Sequence, residues 1–565
     1  MERGSYDLVC IGGGGAAVLA AVHAASSGRS VALVTKDYPG FGNTRLAVGM
    51  AACPGILAED SSELFAADLM SSGEGISEAA VVKSFASGAA RSVAALEKLG
   101  PLFPRAPGGE ISSEEVSQVG GHSRPRSMAN LGGGASLGAC LKTALWRFGV
   151  NVYSNTAVLE LLKVEGSIKG LLALDLRKGH FLGLDCGSVL IATGGCGALY
   201  YPHTTNSRGA VGDGLGLALN AGAVLWDMEQ VQAIPFGITR PRSMIGALCG
   251  EPSTAGPAGR LLDGSGNILV DGGICKMTRA EVTRIMMPVI TEGRVDSCGG
   301  LLLDLSPNLA LADGDKRYRA VCSSGISDIV RTAYGLKAYR WEERWPVLPT
   351  FHYQMGGIRT DLLGRTGVDG LLAAGEVQAG LHGGNRLGSV ALSEIYHAGP
   401  RAGKAVIKQQ VSSGRVHVSK ADPGSDFRSE IEKWQELLGG SGRNNPASLR
   451  AELEDRMWRL AGPVRDQPAL LELLHELDRL SAGSKDLKIS REKTCNRQIL
   501  DAVELNLMLP AARALVLSAL ERRESRGAHL RADYPERNDQ EFRCHTYVRV
   551  NEDGSLESGL APLES

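Results

Sequence analysis

The residues most suggestive of chemistry lie in one short loop, HGGNRLGS, at positions 382–389. Its glycines allow the backbone to turn tightly or to approach a ligand closely. The same loop carries His382, Asn385 and Arg386, and the planar fork of an arginine can bind two oxygens of an anionic group at once. The pattern indicates a loop that presents an arginine to a bound ligand, and the surrounding elements must show which ligand that is.

A nucleotide-binding turn stands near the start of the chain. An apolar strand at 6–11 is followed by GGGGAA at 12–17, a helix-period run, and a second strand, SVALVTK. Gly12 and Gly14 take the first two positions of G-x-G-x-x-G/A, and Ala17 takes the third. A pyrophosphate would lie on the free amides at the helix N-terminus. This position in the chain favours FAD over a mobile nicotinamide, and a tight turn without a ligand is the alternative.

The end of the second strand departs from the usual dinucleotide-binding pattern. Lys36 stands where an acid that binds the ribose often lies, and Asp37 follows it directly. The acid is therefore either absent or supplied by Asp37, one position later.

Two further strands run into glycine turns. VLIATGGCGALY at 189–200 leads to a GDG segment that contains Asp213, and GLLAAGEVQAGLHGGNRLGS begins at 370. In the second of these, Glu376 comes just past the strand, where an acid can accept a hydrogen bond from a ribityl or ribose hydroxyl. Three such junctions, far apart in sequence, describe one dinucleotide site with a long insertion in its middle.

The overall composition narrows the class of protein. A chain of 565 residues is expected to form about two to four domains. Lys and Arg total 60 and Asp and Glu total 62, so the chain lacks the basic excess expected of a nucleic-acid-binding protein. The eleven cysteines never form a C-x-x-C pair, which argues against an internal iron–sulfur cluster or any other metal site.

Two features of the sequence bear on cellular location. No apolar run approaches the roughly 20 residues of a membrane helix, and MERGSYDLVCIGGGG enters a strand without a charged leader. We therefore expect a cytoplasmic protein without direct membrane insertion, in which any membrane association is made through partner subunits.

Taken together, these segments resemble the flavoprotein subunits of the succinate dehydrogenase/fumarate reductase family, to which L-aspartate oxidase also belongs. The resemblance covers nearly the whole chain and includes PTFHYQMGGIRTD, which begins at 349, and ERRESRGAHLRADYPERND near the C-terminus. It implies an α/β fold with a Rossmann-like FAD-binding domain, an inserted α+β capping domain and a C-terminal helical domain.

The implied domain boundaries follow from that match. The FAD-binding domain comprises 1–225 and 345–415, the capping domain 226–344, the helical domain 416–520, and a C-terminal tail segment 521–565. Two amphipathic patterns, DFRSEIEKWQELL and ALLELLHELDRL, independently predict helices between 427 and 483. The polar stretch 414–426 suits a linker.

The resemblance also implies how the cofactor is held. Many members attach FAD covalently through a histidine, but Asn43 stands at that position here. Because an amide nitrogen is not a nucleophile, we expect non-covalent FAD. The implied cofactor contacts are Gly12, Gly14, Gly15, Ala17, Lys36, Asn43, Thr44, Ala192, Thr193, Gly194, Asp213, Glu376, Arg386, Ser389 and Leu392.

The implied substrate site is only partly preserved. His352, His382 and Arg386 match the family residues that hold a substrate carboxylate, although each histidine has a structural alternative and Arg386 could instead bind a flavin carbonyl or neighbouring backbone. Ile234 occupies the position at which family members carry a substrate-binding histidine. The best alignment places Ala255 at the position of the arginine that donates a proton.

Because that arginine is missing from the alignment, the proton donor is unassigned. Arg260 could reach the site from a shifted loop, and Tyr353 and Glu251 are the nearest other donors in sequence.

Three functions are compatible with these residues. The leading hypothesis is an FAD-dependent oxidoreductase that reduces a C=C bond of a small carboxylate, or desaturates it in reverse, with a substrate other than fumarate. The second is an amino-acid oxidase similar to L-aspartate oxidase. The third is a flavin electron-transfer subunit without its own organic substrate. In the first and third, the resemblance implies an iron–sulfur partner subunit.

Overall fold

The computed structural model describes residues 2–100, 103–322, 325–413 and 427–564. The stretch 414–426, interpreted above as a linker, lies outside the described residues. The strands within these ranges are β1 (Glu2–Ile11), β2 (Val31–Thr35), β3 (Met50–Ala52), β4 (Ser127–Ala129), β5 (Asn151–Ser154), β6 (Thr156–Val164), β7 (Ser167–Asp175), β8 (His180–Ile191), β9 (Leu225–Trp226), β10 (Val231–Ile238), β11 (Leu248–Gly250), β12 (Arg260–Leu262), β13 (Ile268–Asp271), β14 (Leu301–Asp304), β15 (Trp345–Gln354), β16 (Gly357–Ile358), β17 (Leu371–Ala373), β18 (Val464–Arg465), β19 (Leu530–Arg531), β20 (His545–Val550) and β21 (Leu556–Ala561).

The α-helices within the same ranges are α1 (Gly15–Ser26), α2 (Asn43–Leu46), α3 (Ser62–Ser72), α4 (Ala79–Glu97), α5 (Gly133–Arg147), α6 (Asp213–Asn220), α7 (Arg279–Thr291), α8 (Gly314–Cys322), α9 (Gly325–Tyr334), α10 (Leu336–Tyr339), α11 (Val390–Ser413), α12 (Arg428–Leu438), α13 (Pro446–Leu460), α14 (Gln467–Gly483), α15 (Arg497–Glu521) and α16 (Asp539–Phe542). The two amphipathic patterns predicted between 427 and 483 are confirmed as α12 and α14.

The first sheet carries the dinucleotide loops. Its strands lie in the order β5-β2-β1-β8-β7-β6, and β17 also pairs with β8. The pairs among β1, β2, β5, β8 and β17 are parallel, so their carboxyl ends meet at one edge. Because glycine turns follow β1, β8 and β17 in the sequence, the three predicted junctions come together there, which is where α/β sheets bind ligands.

Helices α1 and α11 pack closely on one face of this sheet. A Cβ added at Gly403 would lie 2.7 Å from the carbonyl oxygen of Ala20, so the glycine allows the two helix backbones to approach. The apolar residues of α1 are buried nearly all round, as expected for a helix between a sheet and a second helix.

The second sheet, in the order β11-β10-β15-β14-β12-β13, is antiparallel. It has its own apolar core, which includes Phe236, Leu261, Leu301 and Trp345. Residues from 345 onward were expected in the dinucleotide domain, but β15 (345–354) pairs with β10 and β14 in this second sheet. The physical reason is that β15 continues the pairing of the inserted segment before the chain returns to the first sheet. The full division into folding domains stays a prediction.

The C-terminal region is joined to the rest by both strands and a helix. Strands β20 and β21 extend a sheet with β9 and β16, so the predicted tail is built into the fold. Helix α15 is long and apolar enough to span a membrane, but 72% of its most apolar window is buried inside the protein. That burial is typical of a core helix.

Candidate functional site

The three glycine junctions and helix α15 enclose a cavity of about 500 Å³. The predicted cofactor residues that line it are Gly12, Gly14, Gly15, Lys36, Asn43, Thr44, Ala192, Thr193, Gly194, Asp213 and Glu376. Further lining residues that the sequence did not reveal include Asn155, Ser207, Arg208, Arg497, Leu500 and Glu504. Four predicted cofactor residues lie outside the lining: Ala17, Arg386, Ser389 and Leu392.

Those four residues have other surroundings. Ala17 and Leu392 are buried in the apolar core around α1 and α11. The Ser389 hydroxyl lies 2.6 Å from that of Ser127. Arg386 is buried among the side chains of a separate group described below. The predicted cofactor contacts of these four residues stay predictions.

The geometry of the first turn fits a dinucleotide. Gly12 has φ +123°, and a Cβ there would lie 2.3 Å from the carbonyl oxygen of Ala192, so no other residue fits. Gly14 caps α1 without a side-chain hydrogen bond of its own. The Gly15 amide donates to Thr44 Oγ1 at 2.9 Å, and the rest of the first turn presents the positive end of the helix to an anion. The buried Thr193 Oγ1 also lacks a partner. A backbone cradle and an unpartnered hydroxyl are what a diphosphate-bearing ligand needs.

At one part of this cavity, Lys36 holds two carboxylates. Its Nζ lies 2.7 Å from Asp213 Oδ2 and 2.6 Å from Glu504 Oε1. Burial opposes the charge of Lys36, but the two carboxylates outweigh it and raise the pKa of Lys36 above its ordinary value. The neighbouring Asp37 is exposed, and its Oδ1 accepts a hydrogen bond from the amide of Tyr38.

A second polar group lines the cavity around Asn43. Its Nδ2 donates to Asn206 Oδ1 at 2.5 Å and to Glu376 Oε2 at 3.5 Å. Its Oδ1 accepts from the Ser207 amide at 2.8 Å. Burial raises the pKa of Glu376 to about 7. Asn43 therefore acts as a hydrogen-bonding bridge between Asn206, Ser207 and Glu376.

Beyond this group lies what we call the Arg386 cluster, a set of charged and polar side chains outside the cavity lining. It consists of Glu251, Arg279, His352, Tyr353, His382, Arg386 and Glu394. The loop bearing Arg386 is supported from behind by the C-terminal region, because the Ala528 amide donates to Gly384 O at 2.8 Å.

Arg386 is buried and only partly satisfied. Its Nη1 donates to Leu387 O at 2.9 Å and its Nη2 donates to Gln232 Oε1 at 3.2 Å, whereas its Nε has no partner. The guanidinium carbon lies 4.6 Å from the ring centroid of Tyr353. Burial, followed by the charge of Arg279, lowers the pKa of Arg386 to about 10. Part of this arginine thus binds neighbouring backbone, but a donor remains free for another acceptor.

Arg279, like Glu394, is a residue of this cluster that sequence reasoning missed. It begins α7 after the capping box of Thr278 and Glu281, and it makes a bidentate pair with Glu251, at 2.8 Å from Nε to Oε2 and 2.7 Å from Nη2 to Oε1. The capping box predicts a helix start, but nothing in the sequence connects Arg279 with a carboxylate so far upstream. The site therefore does contain a second arginine.

Arg260, the arginine that the sequence offered for this site, has a different partner. Arg260 pairs with Asp271 at 2.6 Å, with side-chain exposures of 40% and 62%, so in this structure its guanidinium is engaged with a carboxylate outside the Arg386 cluster. Ala255 and Ile234 are fully buried, and Ile234 lies on β10 opposite Thr350 of β15.

His352 faces the cluster as a neutral imidazole. Its Nδ1 lies 2.7 Å from Thr205 Oγ1. Burial, then the charges of Arg386 and Arg279, hold the pKa of His352 well below its ordinary value. Its backbone oxygen accepts from Asn206 Nδ2 at 2.9 Å, and the same Asn206 bonds to Asn43, so a hydrogen-bonded chain links the cluster to the dinucleotide cavity.

His382 lies deeper, against two neighbours. Its Nε2 is 3.1 Å from Glu394 Oε2 and 3.3 Å from the Tyr353 hydroxyl, which also donates to Glu394. Two atoms of this group, His382 Nδ1 and Glu394 Oε1, are buried without partners. Burial and the neighbouring Glu394 raise the pKa of Tyr353 well above its ordinary value. His382 is thus held by buried side chains beneath the ring on which Arg386 lies.

Known proteins with the same organisation were found by sequence and by structure. The "FAD binding domain" family matches residues 7–392, and the "Fumarate reductase flavoprotein C-term" family matches residues 450–564. The fumarate reductase flavoprotein subunit of Mycobacterium tuberculosis is 33% identical over 99% of this chain and 97% of its own length. That of Haemophilus influenzae is 28% identical over 100% of this chain and 95% of its own length. The solved structure of Mycobacterium smegmatis Sdh1 is 28% identical, with a TM-score of 0.88, and covers 100% of this chain and 95% of that one.

Proposed function

Because this chain belongs to the fumarate reductase/succinate dehydrogenase flavoprotein family, and is therefore an FAD-dependent oxidoreductase, we propose that it reduces a C=C bond of a small carboxylate, or desaturates the product in reverse. The observation that carries the proposal is Arg386, a buried guanidinium with an unpartnered Nε. Leaving a buried donor unpaired costs about 1–3 kcal/mol, and a bound carboxylate would remove that cost.

The roles within the Arg386 cluster follow from charge and protonation. Arg386 binds one substrate carboxylate through its free donor, and His352, which is neutral, offers a further hydrogen bond without adding charge. His382 and Glu394 hold Tyr353, whose ring lies against the guanidinium. The phenol and the arginine are thereby fixed in position before the substrate arrives, which reduces the entropy lost in the reaction.

Proton transfer is assigned to Arg279 and Glu251. A reaction that adds hydrogen across a C=C bond needs a proton at the second carbon, which is general acid work. Arg279 lies near enough to Arg386 for its charge to lower the pKa of Arg386. Glu251 binds Arg279 bidentately. The half-buried Glu251 can return a proton to Arg279 from solvent. This pair supplies the donor that the alignment left unassigned.

FAD, when bound in the dinucleotide cavity, supplies the hydride-accepting and hydride-donating ring. Gly12, Gly14 and Thr193 would hold its diphosphate region, and Asn43 and Glu376, which line the same cavity, would offer hydrogen bonds to its hydroxyl or ring groups. We propose that FAD is non-covalent because Asn43 is not a nucleophile. Denaturing the purified yellow protein in acid should release all of the flavin into the supernatant, whereas flavin retained with the precipitate would contradict the proposal.

The substrate is expected to be a carboxylate other than fumarate. A dicarboxylate fits the family, but Ile234 is buried and apolar, so this position offers no hydrogen bond to a second carboxylate. Fumarate should therefore be reduced slowly, and unsaturated acids with one carboxylate and a less polar remainder are the preferred candidates.

We further propose that electrons leave through an iron–sulfur partner, which would also make any membrane association of this chain. The match to the C-terminal family supports the partner surface. Pull-down from the native source, followed by iron analysis of the captured complex, tests this part separately.

The central experiment is a reduction assay with reduced viologen dye and a panel of α,β-unsaturated acids that includes fumarate. Turnover of at least one acid supports the proposal. Peroxide formation from L-aspartate in air would favour an amino-acid oxidase, and no turnover together with an unperturbed flavin spectrum would favour an electron-transfer subunit. Rapid fumarate reduction would show that the argument from Ile234 is wrong.

A further inference from the structure

The dinucleotide cavity contains a carboxylate from an unexpected part of the chain. Glu504 lies on α15, in the C-terminal helical region, and is almost fully buried. It lines the same cavity as Gly12 and Lys36. A dinucleotide fold usually supplies its ribose-binding acid from the end of the second strand, where this chain has a lysine.

The positive charge of Lys36 accounts for the presence of Glu504 in this cavity. Its Nζ attracts Glu504 Oε1 to 2.6 Å and Asp213 Oδ2 to 2.7 Å, and also donates to Gly209 O at 3.2 Å. The other oxygen of Glu504 accepts from Arg450, and Arg497 Nη2 lies 3.8 Å away. The substitution of a cation for the usual acid thus gathers carboxylates from two other helices.

Glu504 is ionised and has acceptor capacity to spare. Burial opposes its charge, but Lys36 and Arg450 outweigh it and hold the pKa of Glu504 below its ordinary value. A carboxylate offers about four acceptor positions, and the two cations occupy one on each oxygen. Asp213 shares the same lysine and is engaged to a similar extent, because its Oδ1 accepts from the Gly214 amide at 3.0 Å and its Oδ2 binds Lys36.

We propose that Glu504 is the acid that accepts a hydrogen bond from the ribose of the adenosine half of FAD, held in place by Lys36 and Arg450. The alternative named from the sequence, Asp37, also lines the cavity, but its side chain is exposed, so water competes for its oxygens, and its Oδ1 accepts from the Tyr38 amide. Cofactor binding then links the N-terminal nucleotide turn directly to the C-terminal helix α15.

The test compares ADP with 2′-deoxy-ADP and 3′-deoxy-ADP, binding to the full-length chain after FAD has been removed, by calorimetry. In the unmodified chain, at least one deoxy analogue should bind about tenfold more weakly than ADP, as expected for the loss of a hydrogen bond to a charged group. In Glu504→Asp, which keeps the charge but withdraws the oxygens, that ratio should fall to about one.

Two variants complete the design. Glu504→Gln should also abolish the ratio, and Asp37→Asn should leave it unchanged; circular dichroism checks that each variant is folded. A ratio that survives in Glu504→Asp, that disappears in Asp37→Asn, or that is absent from the unmodified chain would overturn the proposal. Since the readout is a ratio between two ligands on one protein, a general loss of stability does not mimic it.

Discussion

Two groups of buried charges in this protein resemble each other in composition but differ in how well they are satisfied. The first is the Arg386 cluster. The second, which we call the Arg522 cluster, consists of Glu78, Asp227, Glu229, Arg522, Glu524 and His545, and it joins the C-terminal strands to the start of β10. In the Arg522 cluster, no buried side-chain atom of these six residues lacks a partner, whereas the Arg386 cluster has three such atoms.

The Arg522 cluster is organised around the guanidinium of Arg522. Arg522 Nε donates to Glu229 at 2.5 Å, Nη2 to Asp227 at 3.1 Å and Nη1 to Glu524 at 3.2 Å. Although burial opposes the charge, the carboxylates of Glu229 and Asp227 raise the pKa of Arg522. In the other cluster, burial and a neighbouring cation lower the pKa of Arg386. This difference supports a structural role for Arg522 and, within the proposed function, an anion-binding role for Arg386, whose Nε lacks a partner.

The largest effect is expected from Arg386→Met. The variant should lose about a thousandfold in kcat/KM for the best substrate of the panel, as when a preorganised charge-stabilising donor is removed. Its melting temperature should not fall, because the change removes a buried cation that lacks a full set of partners. Steady-state kinetics and thermal melts check the two halves of this expectation.

A matched control is Arg260→Met, which removes an exposed guanidinium of the second sheet. It should leave kcat/KM unchanged. If Arg386→Met kept its activity, or if it unfolded while Arg260→Met did not, Arg386 would belong with the structural charges and the contrast would fail.

The opposite outcome is expected for Arg522→Met. Removing one partner from a buried charge network leaves carboxylates uncompensated, and the free energy of unfolding should fall by about 3–5 kcal/mol. Urea denaturation measures this. Arg549→Met, which breaks the exposed pair with Glu557, is the control and should leave the urea midpoint nearly unchanged, because exposed ion pairs contribute little to stability. Equal losses in the two variants would contradict the structural role of the Arg522 cluster.

The dinucleotide cavity could be predicted from the sequence far better than either charge cluster. Its contacts come largely from backbone after strands, and the spacing of Gly12, Gly14 and the later glycine turns records that geometry directly. The sequence names Glu251 as a candidate proton donor but gives no sign of its pairing with Arg279, because each lies in an ordinary local sequence and only the fold brings them together. The same holds for Lys36 and Glu504, whose pairing across nearly the whole chain is a property of packing.

The pH dependence of folding stability tests the structural role of the Arg522 cluster through His545. Its ring nitrogens lie 2.5 Å from Asp227 and 2.7 Å from Glu78; burial opposes the charge, but these carboxylates raise the pKa of His545 to about 9. The protonated form therefore stabilises the fold fully below the ordinary value of about 6.5. That contribution, about 3 kcal/mol, disappears as the pH rises through 9.

The expected result is a fall in the urea midpoint between pH 6.5 and 9 that His545→Gln largely removes. His475→Gln, at an exposed histidine of α14, should keep the full pH dependence. A His545→Gln variant with an unchanged slope would mean that the imidazole is not charged in the folded protein.

The last prediction concerns Glu251 of the Arg386 cluster and separates proton delivery from substrate binding. The pair with Arg279 is half-buried, at 26% and 18% side-chain exposure, so its contribution to stability should be below about 1 kcal/mol. If the pair carries the proton, Glu251→Gln should lower kcat by about a hundredfold with little change in KM, because the carboxylate-binding Arg386 is untouched. A rise in KM at constant kcat would instead show that Glu251 and Arg279 hold the substrate. Proton delivery would then have to be assigned to another group, and Tyr353, whose hydroxyl donates to Glu394, is the candidate within the Arg386 cluster.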